Sequence, residues 1–179
     1  GTLAVGITAA PKTMPFTDVS DGEWYYDAVE YVWKNGLMVG TGDGTKFSPQ
    51  SPVTRGMVIT ILYRDSGSPE VIFNQYQFAD VTNPEKYYAD AATWAYENNV
   101  ISGTGYDEFD APYISPDRTI KRQELAAMLY NYAKFKYVKM DTTATLDKFT
   151  DKVADIIAME KALANAMKIM LGINPTVYL

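Results

Sequence analysis

Two arginines stand where a helix is predicted to begin, each shortly after a loop that contains proline. Arg55 follows Thr54, and Arg122 follows Lys121. Thr54 is a suitable N-cap, because its hydroxyl can accept a hydrogen bond from a first-turn amide that has no helical partner. The guanidinium of Arg55 then projects from the positive end of the helix, where it can hold a carboxylate in a bidentate contact. This pattern predicts an anion site, and a carboxylate on a sugar would fit it.

Other side chains could complete such a site. Sugar rings stack on aromatic faces, and the candidates near the site are Trp24, Tyr25, Tyr87 and Tyr88. Gly40 and Gly103 permit a close backbone approach, and we expect them to end helices or to adopt positive φ. Asp18 and Asp80 are expected first to accept hydrogen bonds from backbone amides in a turn. Ligand contact by either aspartate comes second.

Composition excludes several classes of protein. With no His and no Cys in 179 residues, the chain lacks the usual ligands for zinc, haem and iron–sulfur clusters, and it has no Ser–His or Cys–His pair. A glycosidase could work with carboxylates alone, but no facing pair of acids stands out. The acidic run with Asp141, Asp147 and Asp151 fits no calcium loop. We therefore expect no enzymatic activity, no metal and no cofactor.

Charge and hydropathy limit the partners. There are 16 Lys and Arg against 22 Asp and Glu, a net charge of −6, which argues against binding nucleic acid. No stretch approaches the roughly 20 apolar residues that cross a bilayer, so we expect no membrane insertion. Residues 1–10 are apolar and rich in small side chains, similar to the end of a signal peptide. Export is therefore expected.

The chain contains an internal repeat. Both copies carry, in one order, a Phe-x-Asp-Val opening, an aromatic pair, a Gly-Thr-Gly turn and a Ser-Pro loop before an arginine. The opening, the turn and the loop start at Phe16, Gly40 and Ser48 in the first copy and at Phe78, Gly103 and Ser115 in the second. The offset between copies grows from 63 to 67, so the second loop is longer by four residues. Insertions belong in loops, which supports a genuine repeat.

Apolar residues within each copy follow helical spacing. Tyr31 in the first copy and Trp94 in the second lie on such faces, and we expect both in the core. The loops could hold a short strand at Lys46–Phe47 or Tyr113–Ile114. The sequence thus predicts an all-α protein of helix–loop–helix repeats, two complete and a third incomplete. Such repeats stack because none buries its apolar face alone.

These repeats predict the organisation of the chain. We expect an N-terminal extension at residues 1–15, two repeats at 16–69 and 78–137, and a partial third repeat at 149–179. Together these segments are expected to form one compact domain. The third copy opens at Phe149 and ends at Leu179, before a second helix.

The repeats resemble S-layer homology repeats, the wall-anchoring modules of bacterial surface proteins, over residues 16–179. The resemblance is carried by the Phe-x-Asp-Val opening, the aromatic pair, the Gly-x-Gly turn and the arginine that opens the second helix. It implies three repeats around a pseudo-threefold axis at the cell surface. Grooves between neighbouring repeats then bind an acidic secondary cell-wall polysaccharide, which often carries a pyruvate ketal. The Arg of a Thr-Arg-Ala-Glu motif contacts this polymer, which assigns that contact to Arg55 and Arg122.

Both copies depart from that motif. The first reads Thr-Arg-Gly-Met at 54–57, the second reads Lys-Arg-Gln-Glu at 121–124, and the third copy lacks it. Glu124 stands three residues after Lys121 and suits a capping box. The resulting prediction is a non-catalytic module that anchors an exported protein to an acidic cell-wall polysaccharide. The alternative is a structural module whose degenerate repeats no longer bind glycan and instead form homo-oligomers.

Overall fold

The computed structural model describes residues 13–138. In this range it has four helices and no strand, only isolated β-bridges. The helices are α1 (Tyr26–Lys34), α2 (Arg55–Asp65), α3 (Ala89–Glu97) and α4 (Arg122–Phe135). The all-α prediction is confirmed. In place of the short strand predicted in each loop there is one isolated β-bridge, between Thr41 and Lys46 in the first loop and between Tyr106 and Pro112 in the second. The third repeat at 149–179 and the acidic run at 141–151 lie outside the described residues.

The second helix of each repeat begins at the arginine that the sequence indicated. The Thr54 hydroxyl accepts a hydrogen bond from the Met57 amide at 3.3 Å, which confirms the N-cap of α2. At α4, the Lys121 amide donates to Glu124 Oε2 at 2.9 Å. This is half of a capping box, since a lysine side chain offers no acceptor for the return bond. Among the helices of residues 13–138, none is both long and apolar enough to span a membrane.

Each helix of the described range ends in a Schellman motif. At the end of α1, the Gly36 amide donates to Trp33 O at 3.0 Å and the Leu37 amide donates to Val32 O at 2.9 Å. Gly36 has φ +69°, and at the end of α3 the equivalent residue is Asn99, with φ 57°. This left-handed conformation favours Gly and, after it, Asn.

Gly40 and Gly103 do not have the predicted backbone role. Both lie six residues beyond a helix end, and neither has positive φ. They are glycines because another chain segment passes close by. A Cβ on Gly40 would stand 2.6 Å from Gly44 O, and a Cβ on Gly103 would stand 2.9 Å from Pro112 Cβ.

The described residues fall into two units, which divide between Ser51 and Pro52. In the first unit the core consists of Phe16, Val19 and Val29, with Trp33 and Phe47 packed against it. Tyr31 was expected in this core, and that prediction is wrong, because its exposed fraction is 43%. Asp27, Glu30 and Lys34 form a polar side of α1, and Tyr31 borders it. The part of the apolar face that packs on Phe16 is the one with Val29 and Trp33.

The second unit holds α2, α3 and α4, and α2 packs against α3. Trp94 of α3 is 2% exposed, as predicted. Its ring meets Tyr132 and Phe135 of α4 edge to face, at centroid distances of 6.1 and 5.3 Å. The fully buried Ile59 and Ile114 belong to the same core. Aromatic burial therefore joins α4 to the pair formed by α2 and α3.

The loop before the second helix is built alike in both copies. Asp80 accepts hydrogen bonds from the Ile114 and Ser115 amides at 2.8 and 2.7 Å. The Ser115 hydroxyl pairs with the Thr104 hydroxyl at 2.7 Å. The first copy repeats these contacts. Asp18 accepts hydrogen bonds from the Phe47 and Ser48 amides, both at 2.8 Å, and the Thr41 and Ser48 hydroxyls pair at 2.7 Å. The two aspartates accept from backbone amides as predicted, but the amides belong to a distant loop and not to a local turn.

The four extra residues of the second loop lie at its tip. The tip is closed by the bridge between Tyr106 and Pro112 and by the Asp107 side chain, which accepts from the Phe109 and Ala111 amides at 2.9 and 2.8 Å. The contacts of Asp80 and Thr104 at the base remain the same as those in the shorter loop.

Candidate functional site

A groove of about 590 Å³ opens in the second unit. We call it the Arg55 groove. Three parts of the chain line it: the start of α2, the segment after α3, and α4 with the loop before it. The lining residues are Arg55, Val100, Ile101, Ser102, Gly103, Thr104, Arg118, Lys121, Glu124, Ala127, Met128 and Asn131. Arg55 belongs to the first sequence repeat and the other residues to the second. The groove therefore combines parts of two sequence repeats.

Arg55 is held by the groove walls. It is only 4% exposed, and its Nε donates to Ile114 O at 2.9 Å while Nη2 donates to Ser102 O at 3.3 Å. Its Nη1 lies 3.7 Å from Glu124 Oε1. Burial lowers the pKa of Arg55 from its ordinary value, and the nearby Glu124 carboxylate opposes this effect. An arginine still remains charged at neutral pH, so the groove wall carries a fixed positive charge.

Glu124 lies between two guanidinium groups. Arg118 contacts it with both terminal nitrogens, Nη2 to Oε1 at 2.6 Å and Nη1 to Oε2 at 3.1 Å. Burial on its own would raise the pKa of Glu124, but the hydrogen bonds from Arg118 and from the Lys121 amide lower it below its ordinary value. The same contact raises the pKa of Arg118. The Arg118 side chain nevertheless remains 37% exposed.

The rest of the lining combines hydroxyl, amide and apolar groups. Ser102 and Thr104 supply hydroxyls, and Asn131 donates from Nδ2 to Val100 O at 3.3 Å, which leaves its carbonyl oxygen as an acceptor. Met128, which also lines the groove, is a buried apolar side chain. With three cationic side chains and one carboxylate, the groove has an excess of positive charge in a chain of net charge −6. Such an arrangement can bind an anionic ligand that also carries hydroxyl groups.

The structure places only some of the predicted site residues in this groove. Arg55, Lys121 and Gly103 line it, whereas Thr54 acts as a helix cap beside it. Arg122 is exposed on the first turn of α4 and does not line the groove. Gly40, Asp18 and Asp80 also lie outside the lining, in the loop contacts described above.

None of the four predicted stacking residues lines the Arg55 groove. Trp24 and Tyr87 are exposed, at 75% and 54%, and Tyr25 is half-buried. Tyr88 is a core residue at 4% exposure. Its hydroxyl donates to Asp117 Oδ2 at 3.2 Å, and burial raises its pKa to about 12. Stacking by Tyr88 would require it to leave the core.

Sequence reasoning missed Arg118 altogether and saw Glu124 only as a cap. The repeat register gives a signal for Arg118, because the offset of 67 pairs it with Ser51 in the first copy. The second copy therefore has a positively charged side chain where the first copy has the small hydroxyl side chain of serine, and this difference singles out Arg118. Ser102 and Asn131 carry no such signal, because their place in the groove depends on how α4 packs beside α3.

More than half of this chain matches a known protein family. The model of the S-layer homology domain matches residues 15–56 and 77–126, together just over half of the chain. The chain is similar to an S-layer protein of Bacillus licheniformis, with 31% identity over 81% of the chain and 15% of that protein. It is also similar to a cell surface protein of Thermoanaerobacter kivui, with 30% identity over 75% of the chain and 17% of that protein.

A third relative is the surface-layer 125 kDa protein of Lysinibacillus sphaericus, which shares 26% identity over 83% of the chain and 13% of that protein. The chain thus spans between 13% and 17% of the length of these three relatives. The match to the domain, with one matched segment in the region of each of the two repeats, at 15–56 and 77–126, confirms the resemblance and a location at the cell surface and its wall. This chain belongs to the S-layer homology family.

Proposed function

We propose that the chain is a non-catalytic module that anchors a larger surface protein to the cell wall. Its ligand is an acidic secondary cell-wall polysaccharide, and the carboxylate that it recognises is that of a pyruvate ketal, as the family resemblance implies. The observation that carries the proposal is the Arg55 groove, whose lining holds three cationic side chains and a single carboxylate. A carboxylate of the polymer would bring the charge of the groove closer to balance.

Sugar hydroxyls also have partners in the groove. Ser102, Thr104 and Asn131 provide polar groups beside the cations, and a polysaccharide needs many such weak contacts along its length. Arg55 opens α2, whose first-turn amides already donate to Arg118 O, Pro116 O and the Thr54 hydroxyl, so the positive charge on this side of the groove is that of the guanidinium. Binding of this kind requires no bond to be made or broken.

Arg122 has the corresponding place at the start of α4. It is exposed in the described part of the chain, and by equivalence with Arg55 it would serve a second groove, formed with the third repeat. That repeat, at 149–179, lies outside the described residues. Stacking of three repeats around a pseudo-threefold axis is part of the same proposal.

Sedimentation with purified wall sacculi tests the proposal. The probes are sacculi of Bacillus licheniformis, Lysinibacillus sphaericus and Thermoanaerobacter kivui, each prepared with its secondary polysaccharide retained or stripped. We expect the chain to pellet only with sacculi that retain the polymer, and the double variant R55A/R122A to stay in solution. The matched control K34A/K86A removes two cations that do not line the groove and should pellet like the unaltered chain.

Two results would contradict the proposal. Failure to pellet with any of the sacculi, together with oligomers that grow with protein concentration, would support the self-assembly alternative. Release of reducing sugar from the polymer would show a catalytic activity. Thermal unfolding of R55A/R122A separates lost binding from lost folding, because Arg55 is buried.

A further inference from the structure

We infer that Arg118, which lies outside the Thr-Arg-Ala-Glu motif, is the side chain that contacts the anionic group of the ligand in the Arg55 groove. Arg55 then acts as a positioning residue. The inference rests on the proposed function and adds a specificity-determining residue to it. It follows from the exposure, the hydrogen bonds and the charges of the two arginines.

Exposure distinguishes the two guanidinium groups. Arg55 is 4% exposed and donates to the carbonyls of Ile114 and Ser102. The Arg118 side chain is 37% exposed and lines the same groove. A ligand oxygen must reach an N–H group at about 2.7 to 2.9 Å. Arg118 offers such groups to the open groove, whereas Arg55 is largely enclosed.

Hydrogen bonding supports the same assignment. Arg118 donates one N–H from each terminal nitrogen to Glu124, and a guanidinium has five N–H groups in all. Within residues 13–138, Glu124 is the acceptor recorded for this side chain, so further donors remain for a ligand. The bidentate contact also fixes the guanidinium plane before the ligand arrives, which reduces the entropy cost of binding.

The charges around Glu124 favour an added anion. Its Oε1 lies 2.6 Å from Arg118 Nη2 and 3.7 Å from Arg55 Nη1. Lys121 lines the same part of the groove. Two guanidinium groups therefore share one carboxylate, Lys121 adds a third positive charge to the lining, and a second carboxylate at Arg118 would reduce the repulsion among these cations. Arg55 assists from its side by holding Glu124, the residue that orients Arg118.

The repeat register makes this contact specific to one copy. The position of Arg118 is occupied by Ser51 in the first copy. A groove that relied on the shared motif alone would not need the added arginine.

The test measures apparent affinity by titrating each protein with sacculi of Bacillus licheniformis that retain their secondary polysaccharide, with stripped sacculi as the blank. The variants are R118Q, E124Q and R118Q/E124Q, and K86Q is a control that removes one exposed cation outside the lining. We expect R118Q and R118Q/E124Q to bind about tenfold more weakly or worse, the loss typical of a charged hydrogen bond. E124Q removes a competing negative charge but also loosens the contact that orients Arg118, so it should weaken binding clearly less than R118Q does, and K86Q should be unchanged.

A merely structural ion pair predicts a different pattern. If R118Q and E124Q weaken binding equally, or if R118Q/E124Q restores it, then Arg118 only neutralises Glu124 and the inference is wrong while the proposed function stands. If the unaltered chain does not bind retained sacculi at all, the proposed function itself fails. Thermal unfolding checks each variant, because E124Q and R118Q/E124Q also remove the carboxylate that lies 3.7 Å from the buried Arg55.

Discussion

Asp80 and Arg55 hold the same residue, Ile114, by its two ends. The Ile114 amide donates to Asp80 Oδ1 at 2.8 Å, and the Ile114 carbonyl accepts from Arg55 Nε at 2.9 Å. Ile114 is itself fully buried. The aspartate near the opening of the second repeat therefore fixes the carbonyl that orients the arginine of the first repeat.

Replacing Asp80 tests this link. We expect D80A to lower the free energy of unfolding by about 2 kcal/mol or more, because it leaves the Ile114 and Ser115 amides without their acceptor. It should also weaken binding to retained sacculi, because the Arg55 acceptor is no longer fixed. D80N keeps one acceptor oxygen, so its stability and its binding should lie between those of D80A and those of the unaltered chain. Urea unfolding and sedimentation measure the two effects.

D18A is the matched comparison, because Asp18 makes the same two amide contacts in the first unit without any link to Arg55. It should destabilise its own unit and leave the Arg55 groove intact. Equal loss of binding in D18A and D80A would contradict the link through Ile114.

The cap of α2 gives a second prediction. T54A removes the acceptor for the Met57 amide and should lower the free energy of unfolding by about 1 kcal/mol. T54S keeps the hydroxyl and should retain most of the stability. The urea midpoints of the two variants check this, and identical midpoints would show that the cap contributes little.

Acid should destabilise the second unit through Glu124. The pKa of this carboxyl is lowered in the folded chain from its ordinary value of 4.5. Its contribution to stability is therefore complete above pH 4.5 and is lost as the pH falls through the lower, folded pKa. E124Q removes the titrating group, so we expect its unfolding midpoint to depend less on pH in that acidic range. Parallel curves for E124Q and the unaltered chain would refute the expectation.

Gly56 occupies the position where the family motif has Ala, and the structure explains the difference. A Cβ there would stand 3.0 Å from Pro116 O and 3.1 Å from Tyr88 Cδ1. In an exposed helix, replacing Gly by Ala gains about 1 kcal/mol, but overpacking costs roughly 1 to 3 kcal/mol. We expect G56A to be destabilising by about 1 kcal/mol in urea unfolding.

The equivalent substitution in the second copy is Q123A, at an exposed position of α4. It should change stability little, because no neighbour is crowded there. A stabilising G56A would show that Pro116 and Tyr88 move aside at little cost.

Local signals explain what the sequence predicted well. The starts of α2 and α4 follow from a cap and a Pro-containing loop within a few residues, and both helices begin at the predicted arginines. Tyr31 shows the limit of periodicity, because it lies at the edge of the broad apolar face of α1, and the packing of Phe16 against Val29 and Trp33 decides which part of that face is buried. Arg118 shows the limit of motifs, since its place depends on loop packing that no local pattern encodes.

The Tyr106–Pro112 tip has a practical consequence. The base of the second loop keeps the contacts of the shorter first loop, although four residues have been inserted above it. The length and composition of the tip can therefore change without disturbing Ile114 or Arg55, which donates to the Ile114 carbonyl. This makes the tip a suitable insertion point for foreign epitopes or affinity tags, displayed by a protein that stays attached to the bacterium.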